Sequence, residues 1–242
     1  MTYFDGIKPE GIFLLSQNRF ENSKEFYDAN KKEIVKLVVN PMKQLASIIG
    51  EDMFKVDEKM ELNPSKMISR IRRDTRYSKD KSLYRENMWI MFMRNKHIDT
   101  FVPCFWFEVF PDRYTCGVAP FDSNARIWEL FRQKIIDEPK AFEKAINSCL
   151  KEGFNLSGKP YKKEKEGTDD VPKKLRSFYN MRNISFMKVF PDVLKLQDEE
   201  CIDELRSAYK ALTPYYKFLL EIYEQYNLER SEYSYEQRGD KK

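Results

Sequence analysis

Histidine is almost missing from this chain of 242 residues, which holds one, His97. The 4 cysteines, Cys104, Cys116, Cys149 and Cys201, are widely separated and form no C-x-x-C pair. These two scarcities leave no ligand set for a zinc site, and no metal is expected. They point instead to reduced, buried thiols in a cytoplasmic protein. Glycine is also sparse, with 8 residues. No G-x-x-x-x-G-K-[ST] loop, G-x-S-x-G elbow or H-E-x-x-H helix occurs, so no nucleotide-cradling loop, serine nucleophile or metalloprotease centre is expected, and no cofactor. No apolar run approaches the roughly 20 residues of a membrane span. The N-terminal "MTYFDGIKPEGIF" has no basic stretch leading into an apolar one, so neither a secretory signal nor a membrane location is expected.

What the chain does carry is aromatic surface and charge. Hydrophobic residues make up 41% and aromatic residues 14%, enough to bury a sizeable core, while 34% charged is above the roughly 25% of an average domain. Lys+Arg count 43 against 39 Asp+Glu, for a net charge of +4. So modest an excess does not suit a protein coated by long duplex nucleic acid, and any basic function has to come from local clustering.

Apolar spacing predicts the elements. A short helix over 9–18 carries Pro9 in its first turn, and a longer one begins at Ser23 with a stripe through Phe26, Ile34, Leu37, Val38, Met42, Leu45, Ile48 and Ile49. Pro41 predicts a kink or restart and Gly50 a stop. Then come segments of strand composition, "SKMISRI", "ENMWIMFMR", "VPCFWFEVF" and "RYTCGVA", separated by turn-sized gaps that favour antiparallel pairing. If Phe110 and Arg113 close a hairpin, Cys104 faces Ala119 and Cys116 faces Phe107, with no disulfide partner for either. Two helical patterns follow, with Ile127, Leu130, Phe131 and Ile135 on one face of the first and Phe142, Ala145, Ile146, Cys149 and Leu150 on one face of the second. Residues 155–174 read as a loop, "NISFMKVF" as a strand at the sheet edge, and 198–226 as a final helix interrupted at Pro214. The expected whole is one α+β domain over 4–228, an antiparallel sheet of about four to five strands covered by N- and C-terminal helices, with 229–242 as a disordered tail.

The candidate site is "SRIRRDTRYSKDKSLYR", Ser69 to Arg85, rich in residues that make directional hydrogen bonds. Strand alternation places Arg70, Arg72, Asp74 and Arg76 on one face and Ile71, Arg73, Thr75 and Tyr77 on the other. The first face gathers guanidiniums, whose planar fork suits phosphate or carboxylate, around Asp74, which can hold one of them in register. Lys79 and Lys81 follow, with Ser78 and Ser82 as donors and Tyr77 and Tyr84 as planar surfaces. The ligand-binding candidates are thus Arg72, Arg73, Asp74, Arg76, Tyr77, Ser78, Lys79, Asp80, Lys81 and Tyr84. Asp74 and Asp80 are the weak catalytic candidates. The same residues also suit an exposed ion-pair network of little energetic consequence. Lesser candidates are His97 as a base, Glu108 and Asp112 facing the basic cluster across the sheet, and the lysines around Tyr161 in "GKPYKKEKEG" as a lid over an anion; a solvent-facing role is the simpler expectation for each.

At this stretch the chain resembles the family called domain of unknown function 2461. Its motif R-D-[TV]-R-[FY]-S-K-D-K-x-P-Y-K is matched by Arg73, Asp74, Thr75, Arg76, Tyr77, Ser78, Lys79, Asp80, Lys81 and Tyr84, with Leu83 for the usual Pro and Arg85 for the usual Lys. "NRFENSKEFYDANKKEI" is similar to the family's Asn-rich loop and helix, with Phe26-Tyr27 in place of its aromatic pair. "FEVFPDRYTCGVAPFDSNARIWELFRQKII" resembles its glycine-bearing strand, at Gly117, and following helix. "LSGKPYKKEKEGTDDVPKKLRSFYNMRNISF" resembles a later loop, with Val171 before Pro172 where a histidine is common. The resemblance covers about residues 4–225 and implies one compact α+β domain. It implies no activity, substrate or cofactor. Three readings follow from the residues: a module binding an anionic small molecule or short nucleic acid, a metal-independent enzyme acting on a phosphorylated or carboxylated metabolite, or an adaptor for an acidic partner protein.

Overall fold

The computed structural model describes residues 3–95 and 101–239, with side chains up to residue 231. His97, and with it the role of base considered for it, lies outside the described residues. Helix α1 (Pro9–Glu21) takes its proline in the first turn, where a missing N–H breaks no bond, and ends at Asn22 in the left-handed region (φ 48°). Ser23 opens α2 (Lys24–Ile34), its hydroxyl accepting the Phe26 N–H. Pro41 does not break the helix that follows. The chain passes instead through a π-helical segment, Val35–Val39, into α3 (Asn40–Phe54). The Asn40 N–H reaches back to the Val35 carbonyl, and this wider turn brings the chain to a proline that has no donor to offer. Ile34, Val38, Met42, Leu45 and Ile49 are buried as the periodicity requires. Gly50 is buried inside α3 and does not end it: an added Cβ would only touch Met67 and Leu62, at 3.4 and 3.7 Å.

The sheet is antiparallel and five-stranded, in the order β1-β2-β3-β5-β4, and the fold class is α+β as expected. Its strands are β1 (Met88–Phe92), β2 (Pro103–Val109), β3 (Tyr114–Pro120), β4 (Asn155–Ser157) and β5 (Ser185–Phe190). Two memberships differ from expectation. "SKMISRI" is not a strand: Pro64–Met67 forms the short helix α4, and Ile68 and Arg72 make isolated bridges to Ile90 and Tyr84. The opening of the expected loop is a strand, β4, which pairs with β5 and moves β5 from the edge to the interior. Three residues with a single apolar side chain carry no readable period. The β2–β3 hairpin closes through the Phe110 N–H on the Arg113 carbonyl, and the four cysteines are buried free thiols.

The chain divides into two compact units. The first holds Met1–Phe92, Trp106–Cys116 and Val189–Ala208. In its core Tyr114 stacks on Phe190 (centroids 4.6 Å apart) and its hydroxyl donates to Glu204. The second holds Met93–Phe105, Gly117–Lys188 and Tyr209–Lys242. There α5 (Ala125–Asp137) and α6 (Pro139–Lys151) set Phe131 edge-on to Phe142, and Phe105 stacks on Tyr216. A short helix α7 (Arg176–Tyr179) precedes β5. The last helix, α8 (Glu200–Gly239), runs unbroken through Pro214, so the expected interruption is not found. Side chains supply donors around the proline: Thr213 Oγ1 donates to the Tyr209 carbonyl and Ser148 Oγ to the Ala211 carbonyl, both at 2.8 Å. Farther along, Arg126 of α5 pairs with Glu229 through two hydrogen bonds. Among the described residues no helix is long and apolar enough to cross a membrane.

Candidate anion-binding site

The segment from Ile68 to Ile90 folds back on itself as an irregular hairpin within the first unit. Ser69 N–H donates to Trp89, Arg85 N–H to Ile71 and Arg73 N–H to Leu83, each to a carbonyl at 2.8–3.0 Å. Alternation holds along the first arm: Ser69 and Ile71 are buried and Arg73 is half-buried, while Arg70, Arg72, Asp74 and Arg76 face solvent. The densest bonding is nevertheless on the inner side. Arg73 donates to Ser82 Oγ (3.0 Å), Ser78 Oγ (3.1 Å) and Asp80. Arg19 of α1 reaches the same Asp80 oxygen from the other direction at 3.2 Å.

Both carboxylates of the segment are held ionised. Asp80 accepts from the Ser82 hydroxyl (2.7 Å) and N–H (2.9 Å); these bonds, more than the Arg73 guanidinium, hold its carboxyl far below the usual range. Asp74 is lowered to about 2, first by the Arg76 side chain at 2.7 Å and then by the Arg76 N–H. Lys81 Nζ donates to the Thr75 carbonyl at 2.8 Å. Tyr84 is buried and stacks on Tyr27 of α2 at 4.9 Å. Tyr77 is 94% exposed, with the Arg76 guanidinium 5.8 Å from its ring centroid.

The ten candidates therefore separate. Arg73, Ser78 and Asp80 converge with Ser82. Asp74, Arg76 and Tyr77 form a local exposed group in place of a ring of guanidiniums around Asp74. Tyr84 belongs to the core, where Arg72 sits opposite it in the bridge and acts on its hydroxyl electrostatically. Arg72 and Lys79 remain exposed.

Five participants lie outside those ten: Ser82 and Glu108, which the sequence offers in lesser roles, and Arg19, Arg85 and Asn87. The Arg85 guanidinium lies 4.4 Å from the Trp89 ring centroid, and its Nε is buried with no hydrogen-bond partner. Burial first, then the Arg73 charge, lowers its affinity for its proton, and Glu108 opposes them. Burial raises the Glu108 carboxyl, against the pull of the Asn87 hydrogen bond and the Arg85 and Arg113 charges. Arg85 ends the motif and Glu108 alternates outward on β2, so each had a local signal. Arg19 had none, because its partner lies 61 residues away.

An α+β protein whose antiparallel sheet is joined to a basic, serine-bearing hairpin is the class that fold and site define. Within that class the chain belongs to the family described as "Conserved hypothetical protein (DUF2461)", whose model matches residues 12–218. No curated protein and no solved structure matches it.

Proposed function

We propose that this protein binds an anionic ligand, a phosphate-bearing metabolite, nucleotide or short nucleic acid, on the surface built by residues 70–85. One observation carries the reading: the segment's two carboxylates are already committed, Asp80 to Arg73 and Arg19, and Asp74 to Arg76. Arg70, Arg72 and Lys79 are left as exposed cations, and the buried Nε of Arg85 has no partner. An arriving oxyanion meets donors on a backbone that Arg73, Ser78, Asp80 and Ser82 already brace. The test is thermal unfolding with sulfate, pyrophosphate, nucleotides, sugar phosphates, dicarboxylates and short single-stranded DNA, on the wild type and on Arg72→Ala/Arg76→Ala. A ligand at 100 times its Kd adds about 2.7 kcal/mol of stability. A shift larger in the wild type than in the double variant supports the reading. No shift with any anion, or an equal shift in both proteins, removes it. A steep loss of affinity with salt marks a nucleic-acid backbone as the ligand.

A second reading, an acid–base enzyme on the same surface, is favoured by Glu108. Asp74 and Asp80, held low, are weak proton acceptors near neutral pH, whereas a half-buried carboxyl raised by burial and set near Arg85 is closer to the working range of a general acid or base. In this reading Glu108→Gln loses turnover while ligand binding survives.

A further inference from the structure

The second unit carries another basic cluster. Residues 159–161 run antiparallel to 180–182: Pro160 bridges Met181, the Tyr161 N–H donates to the Asn180 carbonyl and the Arg182 N–H to the Lys159 carbonyl, both at 2.8 Å. The next turn is braced as well. Asn180 Oδ1 accepts the Lys165 N–H at 2.7 Å, the buried Thr168 hydroxyl donates to the Lys165 carbonyl, and Tyr179 Oη donates to the Glu166 carbonyl at 2.7 Å. Tyr179 sits against Gly167, which has φ +83° and where an added Cβ would lie 2.7 Å from that oxygen. Tyr161 and Lys165 are thus held in place by the backbone around them.

Three cations gather on the Tyr161 ring. Lys165 Nζ lies 4.2 Å from its centroid, and the guanidinium carbons of Arg182 and of Arg132 on α5 lie 5.4 and 5.7 Å from it. Among the described residues none of the three forms an ion pair with a carboxylate. Three acids of this unit pair with other cations: Asp169 with Arg176, Glu143 with Lys174 and Glu152 with Lys188. Glu166 and Asp170 form no ion pair among the described residues, and both act, with Arg132, on the Tyr179 hydroxyl. Nη1 of Arg132 is buried with no hydrogen-bond partner. The ring's negative face offsets part of the mutual repulsion but accepts no conventional hydrogen bond from a buried guanidinium donor. A phosphoryl group answers both needs, with up to two negative charges and acceptor oxygens spaced for an arginine fork.

We propose that Arg132, Lys165 and Arg182, arrayed on Tyr161, form a second anion site that takes a phosphoryl group, separate from the hairpin at 70–85. The probe is pyrophosphate, titrated against the full chain and followed by phosphorus NMR line width at fixed low ionic strength. The starting protein carries Arg72→Ala/Arg76→Ala, so that hairpin binding does not contribute. Binding is expected to persist there and to weaken by about tenfold on adding Arg182→Gln, an exposed change, and again with Arg132→Gln. Circular dichroism confirms that each variant is folded. Absence of binding in the Arg72→Ala/Arg76→Ala protein, or an affinity indifferent to Arg182→Gln in a folded chain, overturns the proposal. The two proposals fail separately: pyrophosphate lost with the hairpin arginines alone retains the first and removes this one, and pyrophosphate lost with Arg182 alone does the reverse.

Discussion

Asp80 and Glu108 show how one residue type is driven in opposite directions by its surroundings. Asp80 is lowered by Ser82 and Arg73, so its contribution to stability is present above the unfolded carboxylate pKa of about 3.9 and is lost as pH falls through its folded value. Asp80→Asn is expected to melt below the wild type at pH 7, with the gap closing under acid; a gap independent of pH between 7 and 2 would contradict the assigned bonds. Glu108 is raised by burial, so its ionisation opposes folding once pH climbs past the unfolded value of about 4.3. Glu108→Gln is therefore expected to gain on the wild type in melting temperature between pH 4 and 8. A relative loss over that range would mean that the Arg85 and Arg113 charges outweigh burial.

Among elements, the seam between α1 and the π-helical segment is the tightest test of packing. A Cβ on Gly11 would fall 2.8 Å from the Leu37 carbonyl oxygen and 2.9 Å from Leu37 Cβ and Val38 Cγ2. One of those contacts is backbone, so Gly11→Ala is expected to cost about 1–3 kcal/mol in denaturant unfolding. Gly50 is the control, because the nearest atom there is the flexible end of Met67 at 3.4 Å. Gly50→Ala is expected to be neutral or to gain up to about 1 kcal/mol from helix propensity. Equal effects at the two positions would refute the close approach at Gly11. Ser23→Ala removes the cap on the Phe26 N–H of α2 and is expected to cost about 1 kcal/mol in the same assay.

Over the whole molecule, all four thiols are buried, and burial pushes Cys104, Cys149 and Cys201 up to about 12. Iodoacetamide at pH 8 is expected to label none of them in the native protein and all four after denaturation, as read by intact mass. Labelling in the native state would place a thiol at the surface. The hydrophobic periodicity that buries these cysteines was also the best guide to the fold: α5, α6, β1, β2, β3 and β5 lie where local spacing put them. It failed at 64–72 and 155–157, where short stretches take their state from pairing with Ile90, Tyr84 and β5. It failed again at Pro214, which α8 carries without a break.

By itself the sequence determined the class of fold and the alternation that turns Arg73 inward and Arg72 outward, because both follow from side-chain direction along a local backbone. Only the tertiary structure decided which charges are spent. Arg19 reaches Asp80 across 61 positions, Arg85 and Glu108 act on each other electrostatically, and Arg132 meets Tyr161 from a separate helix. An ion pair or a cation–ring contact depends on distance in space, which chain folding sets between residues whose sequence positions carry no common period.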